Sequence, residues 1–328
     1  MKYILLLTFI ISSSFAFSID KKEKMPVKEN KTSIEVDFLF WKQLEGGVDF
    51  ACDDALSFEE STDYGLAGDL KSAKYGWEPG FRVHLKQGMG PDKWKLELVY
   101  GLFAPDNKET VLVHEGKKME GSFPQYTTTD MNRATSKISF KSHLADIFLT
   151  NCFKPTDHLT FTFINGLTGA WLKHNWNIVY YGTDNAIENH IKPKWLFKGI
   201  GPKVGLRVNW LLGKGFIWHT HGFLATILGN YDNKFKYTVY TDGVEQIRAR
   251  SHLDDYRIAT NINFLLGPGF KKCFGDWAFD LFIGYEASIW YNVQQIDRER
   301  FKHSNPQTRH VLGQLEMNGL TTYLNISF

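Results

Sequence analysis

The chain has 328 residues, a formal net charge of +2 and a mean hydropathy of −0.29. This near balance of charge excludes a global electrostatic attraction to nucleic acid or to an anionic membrane surface. Three scattered cysteines are too few for a disulfide scaffold or a zinc site. Aromatic residues nevertheless make up 15% of the chain. That share exceeds what a water-soluble core needs and is expected of a membrane β-barrel with aromatic girdles at both interfaces.

The first residues have the three parts of a secretory signal peptide. Lys2 supplies a positive charge, residues 3–11 are apolar, and a segment rich in Ser and Ala follows. The apolar run is too short to cross about 30 Å of hydrocarbon as a helix, so a cleaved signal is favoured over an anchor. We therefore expect a signal peptide at residues 1–18, a flexible periplasmic arm at 19–34 and the folded domain at 35–328.

Apolar and polar residues alternate with a period of two along the rest of the chain. The clearest case is residues 277–291, where the odd positions from Trp277 to Tyr291 are apolar or aromatic and the even positions include Asp280 and Glu286. This segment is far longer than the usual strand of five or six residues. One apolar face and one polar face suit a strand between lipid and a wet interior. The same alternation recurs at residues 79–87, 93–103, 202–210 and 256–266.

Short and long connections alternate between these segments. Turn-rich connections lie near residues 88–92, 154–158, 212–215 and, somewhat longer, 267–276. Polar stretches lie near residues 53–76, 105–136, 182–194, 241–250 and 297–311. Short periplasmic turns and long extracellular loops are typical of an outer-membrane barrel. The fold class predicted is all-β: a transmembrane antiparallel up-and-down β-barrel of about ten strands, with twelve as the alternative. The expected strands are 35–51, 77–87, 93–104, 137–153, 159–181, 195–211, 216–240, 251–266, 277–296 and 312–328.

The last segment ends on an aromatic residue. Leu324, Ile326 and Phe328 share one face of the expected final strand. An ordinary terminal strand could show the same pattern. Together with a signal peptide at the other end, it favours an assembly signal for the barrel-assembly machinery.

Several sequence blocks occur in the same order as in a known family. They are FLFWK (38–42), GVDFA (47–51), GWEPGFRV (76–83), GLTGAW (166–171), GIGPKVG (199–205), NWLLGKGF (209–216) and GYE (284–286). The chain resembles the Legionella/chlamydial-type major outer membrane protein (MOMP-like) family of pore-forming proteins. The resemblance implies an abundant, channel-forming surface barrel of an intracellular bacterium. Chlamydial members are richer in cysteine and cross-link the envelope, a role that three cysteines do not fit.

Ten charged side chains are expected to point into the barrel: Arg82, His84, Lys86, Lys95, Glu97, Lys203, Arg207, Arg257, Asp280 and Glu286. They either line a pore and set its selectivity, or pair with one another and fill the lumen. Eight strands leave an interior just filled by side chains, whereas sixteen to eighteen leave an open channel. Ten strands therefore favour a small or gated pore. The slight excess of basic residues among the ten suggests a weak preference for anions.

Three other residue patterns bear on a metal site, a disulfide and a path for sugars. His219 and His221 lie two apart on one strand face, which suits lumenal polar residues better than an incomplete metal site. Cys152 and Cys273 both map to the periplasmic rim, where a disulfide is allowed by the compartment. Fourteen aromatic residues are expected to form the interface girdle rather than a path on which sugars stack. They are Phe38, Phe40, Trp41, Trp77, Phe81, Trp94, Tyr100, Trp171, Trp176, Trp195, Trp210, Trp218, Trp277 and Trp290.

No catalytic motif is present, and we expect no enzyme activity, metal or cofactor. An outer-membrane phospholipase would need a lipid-facing Ser/His pair, for which His143 with Ser139 or Ser142 is the nearest candidate. The expected function is porin-like diffusion of small hydrophilic solutes across the outer membrane of a Gram-negative bacterium. The alternative is a structural or host-contact surface protein with a plugged barrel and working extracellular loops. The expected partners are outer-membrane lipid, the barrel-assembly machinery, small hydrophilic solutes and further copies in a homo-oligomer, but no nucleic acid.

Overall fold

The computed structural model describes residues 32–53, 69–89, 94–114, 119–123, 131–183, 187–302 and 305–328, with side chains described outside 297–312. The predicted signal peptide and residues 19–31 of the predicted arm lie outside the described residues. Among the described residues, no helix has the length and apolar character needed to cross a membrane.

Fifteen strands are assigned in the described residues. They are β1 (Thr32–Glu45), β2 (Asp49–Asp53), β3 (Asp69–Ser72), β4 (Trp77–Gly88), β5 (Trp94–Phe103), β6 (Asp106–Leu112), β7 (Glu120–Gly121), β8 (Met131–Phe153), β9 (Leu159–Gly182), β10 (Ile187–Ile191), β11 (Lys194–Gly213), β12 (Phe216–Thr241), β13 (Val244–Phe274), β14 (Trp277–Lys302) and β15 (Asn305–Ser327). Strand β1 includes Thr32, Ser33 and Ile34, which the sequence pattern had placed in the arm.

Ten of these strands close into an antiparallel ring. The order is β1-β4-β5-β8-β9-β11-β12-β13-β14-β15, and β15 returns to β1. Thr32 and Phe328 exchange two backbone hydrogen bonds, 3.2 and 3.0 Å long, where the first and last strands meet. Closure leaves no edge with unpaired backbone groups, as a membrane wall requires. The predicted ten-stranded β-barrel is confirmed.

Two wall strands are interrupted at a proline. Pro105 separates β5 from β6, and Pro193 separates β10 from β11. Proline has no N–H to give to the ladder. Its carbonyl still accepts: Phe140 N donates to Pro105 O at 2.9 Å, and Trp176 N donates to Pro193 O at 3.0 Å. Each interrupted pair therefore continues as one wall strand, so the ring has ten strands although the wall is made of twelve segments.

Three of the predicted connections are wrong. Residues 241–250 are a tight hairpin, in which Asp242 (φ 50°) and Gly243 (φ 79°) join β12 to β13. Most of residues 297–311 belong to β14 and β15, and most of 267–276 belongs to β13. Strand β13 is exposed on both faces over its first residues, so water contact explains the polar composition that had indicated a loop. Parts of the other polar stretches also form strands, namely β3, β6, β7, β10 and the start of β8.

The barrel has an inner zone and an outer zone with opposite polarity. We call the end at which β1 begins and β15 finishes the inner end. In the inner zone the lipid-facing side is apolar and the lumenal side is polar, as Leu167 and Thr168 on β9 illustrate. Farther out on the same strand, the outward Lys173 is exposed and the inward Trp176 is buried. The outer zone is therefore built like a water-soluble protein, with its apolar core inside.

A small separate sheet completes that core. Strand β2 pairs with β3 on one side and with β7 on the other, outside the sheet of the wall. Beside β7, Met119 forms one isolated bridge with Met131 of β8. We call residues 48–53, 69–75 and 119–123 the plug. Phe50, Ala51 and Cys52 of the plug are 0% exposed. The sequence pattern had placed residues 35–51 in a single strand. In the structure β1 ends at Glu45, and β2 follows a turn into the lumen.

Candidate functional site

A polar chamber of about 1470 Å³ occupies the inner zone of the lumen. Its mouth is lined by residues 154–158, the turn between β8 and β9 at the inner end. At its other end the lining consists of apolar side chains, among them Leu39, Trp41 and Phe103. We refer to this cavity as the chamber.

Nine of the ten charged residues singled out from the sequence line the chamber: Arg82, His84, Lys86, Lys95, Glu97, Lys203, Arg207, Asp280 and Glu286. The tenth, Arg257, lies outside it. Its guanidinium carbon is 3.5 Å from the ring centroid of Tyr231, and Nη2 is 2.9 Å from Asp255. Arg257 points inward as the alternation implied, but it lies in the outer zone, where the lumen is filled by the apolar core.

Glu286 is the centre of one charged network. Nη2 of Arg82 lies 2.9 Å from both carboxylate oxygens of Glu286. Asn263 and Thr321 donate to the same carboxylate at 2.7 and 2.8 Å. Arg82 also reaches Asp37, with Nε 3.4 Å from the carboxylate. A buried carboxylate with this many donors is compensated, so the ion pair survives in the lumen.

His84 is the centre of a second network. Its Nδ1 is 2.8 Å from Glu97 and its Nε2 is 3.3 Å from Asp37. Lys86 Nζ lies 2.7 Å from Glu35. Strand register produces this cluster, because β1 and β4 place Glu35 opposite His84, and β4 and β5 place Lys86 opposite Glu97. Opposite charges directly across a ladder attract each other.

One group in the described part of the chain has the spacing of metal ligands. Glu35, Asp37 and His84 offer ligand atoms that all lie within 4.8 Å of one another. Lys86 and Arg82, however, already contact these two carboxylates. Their positive charges supply what a metal ion would bring.

The charges that line the chamber are formally balanced. The basic members are Arg82, Lys86, Lys95, Lys154, Lys203, Arg207 and Lys271, and the acidic members are Glu35, Asp37, Glu97, Asp146, Asp157, Asp280 and Glu286. With the lining histidines counted as neutral, this balance adds no support to the weak anion preference expected from the sequence, which stays a prediction. Glu35, Asp37 and Asp146 were missed as candidates. Glu35 and Asp37 alternate with Ile34, Val36 and Phe38, so the same period-two argument could have found them.

Buried polar contacts above the chamber link wall strand β1 both to wall strand β9 and to the plug. His174 Nε2 lies 3.3 Å from Glu45, and both side chains are fully buried. The hydroxyl of Tyr75 in the plug donates to Glu45 at 3.2 Å. Burial beside this carboxylate raises the pKa of Tyr75 well above its ordinary value, so the hydroxyl remains a donor.

Aromatic contacts fill the lumen around the plug. The Tyr180 hydroxyl donates to the carbonyl of Phe50 at 2.5 Å. The ring of Phe123 lies edge-on to Trp176, with centroids 5.6 Å apart, and stacks on Phe235 at 6.2 Å. Among the described residues, plug and wall form one continuous apolar cluster that closes the chamber toward the outer end.

The aromatic residues divide between the two zones. Ten of the fourteen girdle candidates are exposed: Phe38, Phe40, Trp77, Phe81, Trp94, Tyr100, Trp171, Trp210, Trp218 and Trp277. Trp41, Trp176, Trp195 and Trp290 instead point inward and are buried in the core, so for these four the girdle interpretation is wrong.

The remaining candidates from the sequence are the closing strand, the two histidines on β12 and the two cysteines. Leu324 and Phe328 of the closing strand are exposed and Ile326 is partly exposed, with the rings of Phe328 and Trp277 5.4 Å apart. His219 and His221 line the chamber, where His219 Nδ1 lies 2.9 Å from Asn209 Oδ1. The structure contains no disulfide between Cys152 and Cys273. Cys152 Sγ accepts a hydrogen bond from Thr162 at 3.7 Å, and Cys273 is exposed on β13.

The phospholipase candidate is not assembled. Ser142 is buried on the lumenal side of β8, while His143 points outward. The Nδ1 atom of His143 is 2.7 Å from the Tyr100 hydroxyl. Ser142 and His143 therefore lie on opposite sides of the wall. Ser139 faces outward like His143, but it lies four residues away on β8, about 13 Å along the strand, too far for a hydrogen bond.

Comparison with known proteins gives one family and several distant barrels. The model of the family described as Legionella pneumophila major outer membrane protein precursor matches residues 24–327. No curated protein matches the chain. Among solved structures, the outer membrane protease OmpT from Escherichia coli is 8% identical, covers 93% of this chain and 99% of its own, and has a TM-score of 0.44.

Two further barrels are more distant. The outer membrane protein AlkL is 8% identical over 95% of this chain and 97% of its own, with a TM-score of 0.28. A Pseudomonas aeruginosa FadL homologue is 8% identical over 92% and 90%, with a TM-score of 0.25. Because these scores lie below 0.5, the ring and the chamber rest on the strand pairing of this chain.

Proposed function

This chain belongs to the family of the Legionella pneumophila major outer membrane protein precursor and is an outer-membrane β-barrel, and from that premise we propose that it is a gated pore for diffusion of small hydrophilic solutes. The inner end lies in the periplasm, because β1 begins there, β15 ends there and the connections there are short turns. The proposal assigns no catalytic residue, metal or cofactor to the chain. It includes export through the signal peptide at residues 1–18, cleavage before an arm that begins at residue 19, and assembly through the closing strand β15.

The polar chamber carries the proposal. Buried ion pairs cost desolvation energy, and well-packed apolar side chains often replace them without loss of stability. In the outer zone of this barrel, apolar side chains fill the lumen. The inner zone instead keeps charged walls around a volume of about 1470 Å³, larger than the roughly 300–1,000 Å³ of common small-molecule pockets. A space of this kind supports entry of hydrated solutes.

The plug supports gating. Its three strands share no ladder with the wall, and the isolated bridge between Met119 and Met131 is a single link, so the plug can move without breaking the closed ring. The described contacts between plug and wall are side-chain packing and a few hydrogen bonds, such as Tyr180 to Phe50. Displacing these contacts would join the chamber to the outer surface.

Replacing Phe50 tests the gate. Truncating a buried Phe to Ala costs about 3–5 kcal/mol. If the plug leaves the lumen when the pore opens, this loss destabilises the closed state relative to the open state. Since 1.4 kcal/mol corresponds to a factor of ten, we expect Phe50→Ala to raise the open probability in planar bilayers at least tenfold. The control is Phe282→Ala, a buried ring of the inner zone stacked 4.8 Å from Tyr323, which should leave opening unchanged. An absence of conductance from both folded wild type and Phe50→Ala would refute the pore.

Closure of the chamber also favours a second candidate function, a structural or host-contact surface protein. In that case the extracellular connections between strands make the functional contacts, and the barrel only anchors them in the membrane. Replacing residues 115–118 and 124–130 by short Gly/Ser segments leaves every described strand in place. Loss of adhesion or surface recognition with unchanged conductance would favour this candidate, whereas unchanged adhesion would exclude these segments as the contact site.

A further inference from the structure

A group of lysines lies on the outward face of neighbouring wall strands. Its six members are Lys108 on β6, Lys137 and Lys141 on β8, Lys173 on β9, and Lys194 and Lys198 on β11. All six are exposed. We call this group the lysine patch. It is unrelated to the chamber, because each lysine occupies an outward position of its strand.

Strand register sets several of these lysines directly against another lysine. Lys141 is opposite Lys173, and Lys108 is opposite Lys137. Lys194 is likewise opposite Lys234. Side chains directly across an antiparallel ladder have Cβ atoms about 4.5–5.5 Å apart, and like charges there are destabilising. The arrangement is therefore not explained by stability of the folded wall.

No described residue forms an ion pair with any of the six. Two acidic residues, Asp232 and Asp106, lie near the patch. Asp232 is bound by Lys234 at 2.6 Å and by His252 at 3.1 Å. Asp106 on β6 lies opposite Ser139, between Lys137 and Lys141, and provides one carboxylate for the patch. The patch keeps a clear excess of positive charge.

The height of the patch on the barrel matches the edge of the apolar belt. Trp171 is exposed at 45% and lies two residues inside Lys173 on the same strand. Ile200 lies two residues inside Lys198, and Lys198 is opposite Trp171. Two residues of strand span about 7 Å, close to the thickness of one headgroup layer beside about 30 Å of hydrocarbon. The ammonium groups of Lys141, Lys173 and Lys198 therefore lie where lipid headgroups begin, and those of the other three lie farther out.

The far side of the ring has a different composition at the same distance beyond the belt. On β13 the outward residue is Asp254, and on β15 the outward residues are Asn318 and Glu316. Asn318 donates to Glu316 at 2.7 Å, and Asn230 donates to Asp254 at 2.5 Å. Strand β1 adds one lysine, Lys42. Among the described residues the excess of lysine is thus confined to one side of the wall.

We propose that the lysine patch binds the phosphate groups of lipids in the outer leaflet. A phosphate placed between Lys141 and Lys173 accepts charge-assisted hydrogen bonds from both and replaces their repulsion by attraction. The rings of Trp171, Tyr100 and His143 lie immediately toward the hydrocarbon, since His143 is opposite Trp171 and bonded to Tyr100. Such amphipathic rings suit the boundary between acyl chains and headgroups. The inference depends on the orientation of the barrel and not on pore activity.

Binding of a defined lipid tests the patch. The variant Lys141→Gln/Lys173→Gln removes one opposed pair, and Lys214→Gln/Lys272→Gln removes the same charge from exposed lysines at the inner end. Full-length mature protein in a neutral detergent is titrated with lipid A carrying its phosphates, and with the dephosphorylated form. We expect wild type and the inner-end variant to bind the phosphorylated form, with a weakening of at least tenfold for the patch variant. Binding should also weaken with added salt.

Stability without lipid gives a second readout. Because the opposed lysines repel, the patch variant should have a Tm equal to or above that of wild type in the detergent alone. Phosphorylated lipid A should raise the Tm of wild type and leave that of the patch variant nearly unchanged. Equal binding by patch and inner-end variants, equal binding of dephosphorylated lipid, or an equal effect of inorganic phosphate would each overturn the assignment. Should the first patch variant fail to fold, Lys108→Gln/Lys137→Gln tests the second opposed pair.

Discussion

Among single residues, Glu286 shows how the wall tolerates charge. The side chain is 0% exposed and receives donors from Arg82, Asn263 and Thr321. Its strand, β14, places Tyr285 on the opposite face toward lipid. One residue of slip would exchange the two and place a carboxylate in hydrocarbon. Glu286 therefore helps to hold the strand in register.

Removal of Glu286 should reveal the cost of an unpaired lumenal charge. Breaking one side of a buried pair costs about 3–5 kcal/mol, whereas replacing both partners by apolar residues is often neutral. We expect Glu286→Leu to lower the free energy of unfolding in urea by about that amount, and Arg82→Met/Glu286→Leu to recover most of it. Lys95→Met removes a chamber charge for which the described residues provide no ion pair and should change stability little. A double variant no more stable than Glu286→Leu would contradict this account.

Alternation in the sequence was enough to predict that Arg82 and Glu286 face inward, because facing depends only on position along one strand. It did not predict that they meet, since they are 204 residues apart and their contact depends on ring order. The misplacement of Arg257 has the same origin. A period of two specifies the face of a strand but not the height at which the lumen changes from wet to packed.

Among the strands, β11 and β12 approach each other closely at Gly201. A Cβ atom added to Gly201 would collide with the carbonyl oxygen of Thr226. At Gly222 on the facing strand, the nearest atoms to an added Cβ are 4.0 Å away. Glycine at position 201 thus permits a contact that any side chain would obstruct.

Alanine at these two glycines should have unequal effects. Gly201→Ala must push β11 away from β12, and such overpacking costs about 1–3 kcal/mol. Gly222→Ala meets open space and should be close to neutral. Urea unfolding followed by the shift in gel mobility on heating would measure both. Equal midpoints for the two variants would show that β11 adjusts without strain.

The beginnings and ends of several strands were predictable to within one or two residues, since tight turns such as that between β11 and β12 contain glycine. The hairpin at Asp242-Gly243 had an equally strong local signal, but the polar residues after it were interpreted as a loop. Strand β13 is polar there because it has left the membrane. Composition alone does not distinguish a water-exposed strand from a water-exposed loop.

The whole molecule combines a membrane barrel with a packed outer zone. Its three cysteines lie in different parts of this structure. Cys273 is exposed near the inner end, Cys152 lines the chamber, and Cys52 is buried in the plug. Burial raises the pKa of the Cys52 thiol, and the carboxylates of Glu120 and Asp53 add to the effect. A lower fraction of thiolate further slows its reaction at neutral pH.

Labelling with a charged maleimide should therefore follow the order Cys273, Cys152, Cys52. Phe50→Ala should accelerate labelling of Cys52 and leave that of Cys273 unchanged, because only the plug becomes accessible. Mass spectrometry of peptides after timed quenching gives the three rates, and unfolding in urea should make them similar. Fast labelling of Cys52 in the folded wild type would show that the plug does not close the lumen.

The plug itself was beyond the reach of the sequence pattern. Phe50 and Phe123 occur in stretches that change from apolar to polar over a few residues, and neither stretch shows a sustained period. Their burial depends on Tyr180 and Phe235, which come more than 100 residues later in the chain. Only the closed ring brings these residues together.

That order along the chain constrains how the molecule can be made. The plug comes from the first 123 residues, while the aromatic side chains that enclose it come from β9, β11, β12 and β14. The plug is thus synthesised before the strands that enclose it. The plug therefore gains its full set of apolar contacts only after the later strands are in place. A chain that ends before β15 lacks the closed wall that buries this core.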